Sequence, residues 1–137
     1  MALLADAGIY VFTTVATPSY AINRRAPHES YTAAMIMSFF RTVDVMARYP
    51  NTLGIAVTSG LIEASTATST ASVIKATVRD LKKYMKLKDE VEGQRVVPIC
   101  YDATSTSADD KKILDYLCSG DASSSIDFWT ASERSRV

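Results

Sequence analysis

Two apolar runs of this sequence are followed by residues that would decide whether a catalytic site lies there. The run Leu53–Val57 stops near Ser59 and Gly60, and the run Arg95–Tyr101 is followed directly by Asp102. Enzymes built on parallel strands place their catalytic side chains in the loops after the strands' carboxyl ends. Proton transfer there requires a group that titrates, which neither serine nor glycine supplies. The sequence therefore raises the question whether the strand end at Ser59 and Gly60 is an active site, and which residue would be its acid.

The elements that must position this strand end alternate along the chain. Four segments are rich in β-branched and aromatic residues and are predicted to be strands: Gly8–Val15, Leu53–Val57, Arg95–Tyr101 and Ile126–Thr130. Three helical patterns lie between them, with apolar faces at Met35, Phe39, Val43 and Met46, at Ile74, Val78, Leu81 and Met85, and at Ile113, Leu114 and Leu117. The order β-α-β-α-β-α-β predicts an α/β fold, one domain over residues 1–137 with a parallel sheet. Four strands are half of a (β/α)8 barrel, which usually takes about 250 residues.

The polar segments around the helices predict surfaces, loops and helix ends. Charged residues of the second helix point away from its apolar face and predict a solvated surface: Lys75, Arg79, Asp80, Lys82 and Lys83. The next segment, KLKDEVEGQR at 86–95, mixes both charges and contains Gly93, which predicts a polar loop. Ser107 and Asp110 are spaced as in a capping box and predict the start of the third helix, and Gly120 predicts its end.

Composition excludes several classes of protein. The chain has 137 residues, enough for one core, with 47% hydrophobic residues and zero formal net charge, so neither disorder nor a nucleic-acid partner is predicted. Its apolar runs are shorter than the roughly 20 residues of a membrane span. The N-terminus lacks a basic region and reaches Asp6 early, so no signal peptide is predicted and the compartment stays open. Cys100 and Cys118 form no C-x-x-C spacing, so no metal or cofactor is predicted.

Six segments in order resemble the catalytic domain of the fungal β-1,3-glucanosyltransferases. They are DAGIYV, TPSYAINR, ARYPNTLG, VIKATVRDLKKY, VPICY, and DYLCSG with IDFW, and together they run from about Asp6 to Trp129. The resemblance implies part of a (β/α)8 barrel, a half TIM-type barrel here, from enzymes that remodel cell-wall glucan. Members of that family are usually secreted and held at the cell surface by a lipid anchor.

The resemblance implies which residues stand at the family's active site. That family uses the retaining route, which needs two carboxyl groups about 5 Å apart, one as acid/base and one as nucleophile. The family's Asn-Glu pair, whose Glu is the acid/base, falls on Ser59 and Gly60, and an earlier family Asp falls on Thr14. A substrate-facing Asn and Tyr fall on Ser132 and Arg134. The nucleophile Glu belongs to a later strand and has no counterpart in the printed sequence. The resemblance therefore implies a scaffold without its chemistry.

Three other carboxylates could substitute for the family's catalytic carboxyl groups. Glu63 lies three residues past Gly60, but a solvated carboxylate at a loop or helix start is the simpler interpretation, because catalytic groups need rigid placement. Asp102 could act on a substrate, although a turn-forming role before Ala-Thr-Ser is favoured. Asp127 either faces the barrel interior or pairs with a lysine. None of them completes a catalytic couple.

Aromatic, histidine and cysteine residues give further candidates. Five aromatic residues could line a sugar groove, although core packing explains some of them equally well: Tyr10, Tyr20, Tyr31, Tyr101 and Trp129. The substrate-binding set that we predict is Thr14, Ser59, Gly60, Tyr101, Asp102 and Trp129. His28 is predicted to lie on the surface, Cys100 to be a small buried hydrophobe, and Cys118, whose family partner the resemblance places elsewhere, to be a free thiol.

Two functional hypotheses follow. The first is a degenerate, non-catalytic glucanosyltransferase-like domain that binds β-1,3-glucan or a protein partner. The second is an active β-1,3-glucanosyltransferase or glycoside hydrolase completed by another chain or a missing half. In either, half a barrel leaves the inner face of its strands open, so we expect a homo-oligomer or partner chain, or else a rearranged sheet with a helix over the open side.

Overall fold

The computed structural model describes residues 1–59, 67–103 and 108–131. Five positions with predicted roles lie outside these ranges: Gly60, Glu63, Ser107, Ser132 and Arg134. The four strands are β1 (Val11–Thr14), β2 (Thr52–Ser59), β3 (Ile99–Ala103) and β4 (Phe128–Ala131). The five helices of the described ranges are α1 (Ala2–Asp6), α2 (Pro27–Ser30), α3 (Ala33–Ala47), α4 (Ala67–Glu92) and α5 (Ala108–Cys118).

The four strands form one parallel sheet in the order β1-β2-β3-β4. This order confirms the α/β prediction, because each strand pairs with the next along the chain, as consecutive strands of a barrel do. The expectation of a rearranged sheet is wrong for these strands. The strand bounds differ from the prediction at the ends: β1 begins at Val11 rather than Gly8, and β3 occupies Ile99–Ala103 rather than Arg95–Tyr101.

The core lies on one face of the sheet, which we call the outer face. Side chains of β2 and β3, among them Ile55, Val57 and Ile99, pack in one buried cluster with the predicted apolar faces of α3, α4 and α5. Neighbouring residues of a strand point to opposite faces. The strand residues that alternate with those of the outer face and pair with one another in register lie on the inner face: Phe12, Thr14, Gly54, Ala56, Cys100, Asp102, Phe128 and Thr130. The inner face has small side chains at its centre and a phenylalanine on each outer strand.

Helix α4 is longer than the sequence predicted, since it continues to Glu92 and includes most of the segment predicted as a polar loop. Ion pairs four residues apart support it, between Lys86 and Glu90 at 3.9 Å and between Lys88 and Glu92 at 2.5 Å. The mixed charges of this segment are therefore helical partners rather than a sign of a loop. Gly93 ends the helix with φ of +67°, a left-handed conformation that glycine adopts without steric cost.

The charged surface of α4 is solvated only in part, contrary to the prediction. Lys82 is 13% exposed and its Nζ lies 2.7 Å from Asp127 Oδ1. Lys75 Nζ donates to the carbonyl oxygens of Tyr116 and Ser119 at 2.7 Å each and thereby caps the end of α5. These lysines fix the position of α4 against the segment that leads into β4. Within the described ranges, no helix combines the length and apolarity needed to cross a membrane.

Candidate active-site cleft

The carboxyl ends of the strands meet at one edge of the inner face, where the structure has a cavity of about 320 Å³. We call it the strand-end cleft, and it is lined by Phe12, Thr13, Thr14, Ala56 and Asp102. Parallel strands bring their carboxyl ends to a common edge, so residues distant in sequence meet here. Of the predicted site residues, the cleft contains Thr14 and Asp102.

Asp102 is the acidic residue of the cleft. It lies inside β3, paired in register with Thr130 of β4, so the turn-forming role favoured by the sequence is wrong. Thr130 Oγ1 donates a hydrogen bond of 2.8 Å to Asp102 Oδ1. Among the residues of the four strands, Asp102 is the sole carboxylate. A single carboxylate supports hydrogen bonding to a ligand but does not form the pair that retaining glycosyl transfer requires.

Ser59 is the last residue of β2, and its backbone is the register partner of Asp102. The register shifts between Ala56 and Ser59, a β-bulge or similar irregularity beside the cleft. Bulges re-aim side chains and are common next to active sites. The strand end singled out by the sequence therefore does lie beside the acidic residue of the next strand.

Thr14 ends β1 on the inner face and presents a hydroxyl at the cleft. Its Oγ1 accepts a hydrogen bond of 3.2 Å from the backbone N–H of Ala16. The side chain carries no titratable group, so in the cleft it can donate or accept a hydrogen bond but cannot transfer a proton to a glycosidic oxygen.

The structure does not bring Tyr101 and Trp129 into the cleft. Tyr101 is 4% exposed in the core cluster on the outer face, and Trp129 is its register partner on β4, 43% exposed. Sequence reasoning missed Phe12, which is 38% exposed and lines the cleft. The signal that could have found it is strand alternation, because Phe12 and Thr14 are two residues apart on one strand and share a face.

Phe12 and Phe128 flank Gly54 on the inner face. Their ring centroids are 6.2 Å apart with the planes tilted by 52°. A Cβ atom on Gly54 would lie 2.7 Å from Phe128 Cζ, closer than carbon atoms approach, so a side chain there would displace this ring. The two rings form an aromatic base below the cleft.

The other candidate residues, Asp127, His28 and Tyr31, lie outside the cleft. Asp127 pairs with Lys82 and accepts a 2.8 Å hydrogen bond from Ile99 N, which confirms the lysine-pairing alternative. His28 is exposed on α2, as predicted. Tyr31 is held away from the cleft by a hydrogen bond from its hydroxyl to Asp80. No group of three His, Cys, Asp or Glu residues that could hold a metal ion occurs within the described part of the chain.

Both cysteines are free thiols, with Cys100 buried and Cys118 exposed. Burial, with smaller contributions from the negative charges of Asp102 and Asp127, raises the pKa of Cys100 to about 12. A thiol with that pKa is protonated at neutral pH and does not act as a nucleophile. The prediction that Cys100 is a small buried residue is confirmed.

Comparison with known proteins connects this geometry to a family. The sequence model of the glucanosyltransferase family, Glyco_hydro_72, matches residues 1–135. The 1,3-beta-glucanosyltransferase GAS5 of Saccharomyces cerevisiae is 35% identical over 98% of this chain, which covers 27% of that relative. The 1,3-beta-glucanosyltransferase gel1 of Aspergillus fumigatus is 34% identical over 98% of this chain, which covers 29% of that relative. The chain thus spans less than a third of the length of either relative.

The fold is also similar to that of a solved structure. A solved structure of Saccharomyces cerevisiae Gas2p in complex with laminaritriose and laminaritetraose matches 96% of this chain with a TM-score of 0.83 at 24% identity, and this chain covers 29% of it. The likeness confirms the predicted α/β fold as part of a TIM-type barrel. The match of the family model over residues 1–135 establishes that this chain belongs to the glucanosyltransferase family of glycoside hydrolases.

Proposed function

We propose that this chain is a non-catalytic member of its family that holds β-1,3-glucan in the strand-end cleft. The observation that carries the proposal is the composition of the cleft, in which Asp102 is the single carboxylate contributed by the four strands. Retaining transfer needs a second carboxyl group about 5 Å away. The neighbouring strand ends in Ser59, and the opposite side of the cleft offers the hydroxyl of Thr14.

The remaining groups suit sugar binding. Phe12 exposes part of its ring, an apolar surface of the kind that packs against the flat face of a sugar. Asp102 and Thr14 supply an acceptor and a hydroxyl within the same cavity, so hydroxyl groups of a glucan find partners there. The names of the relatives, 1,3-beta-glucanosyltransferases, and the laminari-oligosaccharides bound to Gas2p support β-1,3-glucan as the ligand class.

Two assays test the proposal. Pure protein is incubated with reduced laminarin oligosaccharides and the products are separated by chromatography; we expect neither elongated nor shortened chains. Transfer products that disappear in Glu63→Ala would reject the non-catalytic assignment, because Glu63 would then serve as the missing acid. Binding is measured separately by calorimetric titration with the same oligosaccharides.

A matched pair of variants locates the binding site. Asp102→Ala removes the carboxylate of the cleft and is expected to weaken oligosaccharide binding about tenfold, the effect of losing one charged hydrogen bond. Asp115→Ala removes an exposed carboxylate on α5 and is expected to leave binding unchanged. Equal affinity of the two variants would place the glucan elsewhere or exclude binding.

A second candidate function is glucan transfer in a completed assembly. It is favoured by the exposure of Phe12 on the inner face and by the small share of each relative that the chain spans. In that case a partner would supply the nucleophile. Mixing the protein with the remainder of a family domain and finding no transfer would dispose of this alternative.

A further inference from the structure

We propose that Thr130 is a positioning residue of the strand-end cleft, which orients the Asp102 carboxylate toward a bound glucan. Thr130 does not line the cleft itself, since the cavity is bounded by Asp102 and by residues of β1 and β2. The inference rests on the proposed function and adds to it a residue of β4 that acts through Asp102.

The sheet brings Thr130 and Asp102 together from 28 positions apart in the sequence. They are register partners on β4 and β3, and both lie on the inner face. Neighbouring strands are about 4.8 Å apart, so the side chains of register partners on one face are within reach of each other. Thr130 Oγ1 lies 2.8 Å from Asp102 Oδ1, an ordinary distance for an O–H donor, and the contact is partly buried.

The direction of this hydrogen bond follows from the chemistry of the two groups. An ionised carboxylate can only accept, so the hydroxyl of Thr130 is the donor and its single proton is used in the contact. A hydrogen bond to a charged acceptor is roughly twice as strong as one between neutral groups. Threonine is branched at Cβ, which restricts rotation about χ1. The donor is therefore held in place, and it restricts the torsions of Asp102 in turn.

The hydrogen bond leaves Asp102 able to accept from a ligand. A carboxylate has about four lone-pair sites on its two oxygens, and Thr130 uses one of them. In the same cavity, Thr14 Oγ1 accepts from Ala16 N at 3.2 Å and can donate its own proton. A sugar hydroxyl both donates and accepts, so it suits an acceptor at Asp102 and a donor at Thr14. Thr130 keeps the carboxylate in place for this arrangement.

The benefit of Thr130 to binding is preorganisation. Without its hydroxyl, the carboxylate of Asp102 would rotate among several orientations in the free protein, and a bound glucan would have to select one of them. We expect this to weaken binding about threefold, the scale for immobilising one side chain. The loss is smaller than the one predicted for Asp102→Ala, because Asp102 contacts the ligand and Thr130 acts through it.

A purely structural role for Thr130 gives a different pattern. The same hydrogen bond joins β4 to β3, so its removal could weaken binding by shifting β4 rather than by releasing the carboxylate. A shift of β4 would act whether or not position 102 carries a carboxylate. The orientation of the carboxylate cannot matter once the carboxylate is gone. A double-mutant cycle therefore separates the two roles.

Calorimetric titration with laminari-oligosaccharides tests the proposal. Thr130→Val removes the hydroxyl, keeps nearly the same shape and should weaken binding about threefold. Thr130→Ser keeps the hydroxyl and should bind as the wild type does. In the Asp102→Ala background, Thr130→Val should have no further effect. Circular dichroism establishes that the variants are folded; where Thr130→Val is not, Thr130→Ala makes the same comparison.

The outcomes separate this inference from the proposed function. Equal affinity of Thr130→Val and the wild type overturns the inference and leaves the proposed function in place. A loss that persists in the Asp102→Ala background also overturns it, because Thr130 would then act through the position of β4. The same holds for a loss in Thr130→Ser as large as in Thr130→Val, because the hydroxyl would not be the cause. Absence of binding by the wild-type protein overturns the proposed function, and this inference with it.

Discussion

Asp127 and Lys82 lie 45 positions apart in sequence and are joined by a contact of 2.7 Å between Asp127 Oδ1 and Lys82 Nζ. The other carboxylate oxygen of Asp127 accepts a hydrogen bond from Ile99 N at 2.8 Å, and Lys82 Nζ also donates to Ala122 O at 3.0 Å. Asp127 is the residue before β4, and its carboxylate connects this position to α4 and to the start of β3. This connection sets where β4, an outer strand of the sheet, lies.

Replacing Asp127 should therefore destabilise the fold. Asp127→Ala leaves Ile99 N without its acceptor and Lys82, which is largely buried, without its counter-charge. We expect the free energy of unfolding to fall by about 2 kcal/mol, the scale for losing hydrogen bonds to a charged group. Urea denaturation followed by circular dichroism measures it. Asp127→Asn retains an acceptor oxygen and should lose less; equal losses in both variants would mean that the Ile99 hydrogen bond contributes nothing.

A side chain at position 54 should destabilise the fold by displacing the ring of Phe128. Gly54→Ala would bring its Cβ to 2.7 Å from Phe128 Cζ, so the ring must move away from Phe12. We expect the free energy of unfolding to fall by about 1–3 kcal/mol, the usual cost of overpacking. The double variant Gly54→Ala with Phe128→Leu separates the ring clash from other effects. If the two losses simply add, the ring is not the cause.

The order of the elements was predictable from sequence because their periodicities are strong. The apolar spacing of α3, with Met35, Phe39 and Val43 all buried, is a direct consequence of helix geometry, and β-branched runs gave the four strands. The continuation of α4 was missed because its stabilising ion pairs look like loop composition when the spacing of four is ignored. Ion pairs four residues apart, rather than a hydrophobic pattern, stabilise the helix in that segment.

The site was predictable only where local sequence determines it. Asp102 was found from the end of a strand and Thr14 from the family resemblance, and the two share one cavity. Which face each strand residue occupies depends on register, however, and a shift of one residue reverses it. For this reason Tyr101 was assigned to the site although it lies in the core, and Phe12 was overlooked although it lines the cleft.

Tyr84 provides a pH-sensitive report on the contact between α3 and α4. Burial raises the pKa of Tyr84 to about 12, assisted by the 2.7 Å hydrogen bond that its hydroxyl donates to Asp44 and by the negative charge there. Asp44→Asn removes that charge, so the pKa of Tyr84 should move down toward 10. Ultraviolet absorbance of the tyrosinate during an alkaline titration, with Tyr84→Phe identifying the signal, measures it. Glu92→Gln removes a charge that contributes less to this pKa and should change it less.

Cys100 should make stability depend on pH in the alkaline range. Its pKa is about 12 in the folded protein against 9 for an ordinary thiol, so between these values the unfolded chain releases a proton that the folded chain keeps. Stability from this group is complete below pH 9 and is lost as the pH rises toward 12. In a Cys118→Ser background, the free energy of unfolding should fall more steeply between pH 9 and 10 than in the same background with Cys100→Ala. Tyr84 titrates in both proteins and cancels in the comparison. Parallel stability curves would show that Cys100 is not held protonated by the fold, and rapid alkylation of Cys100 in the native protein at pH 8 would show the same.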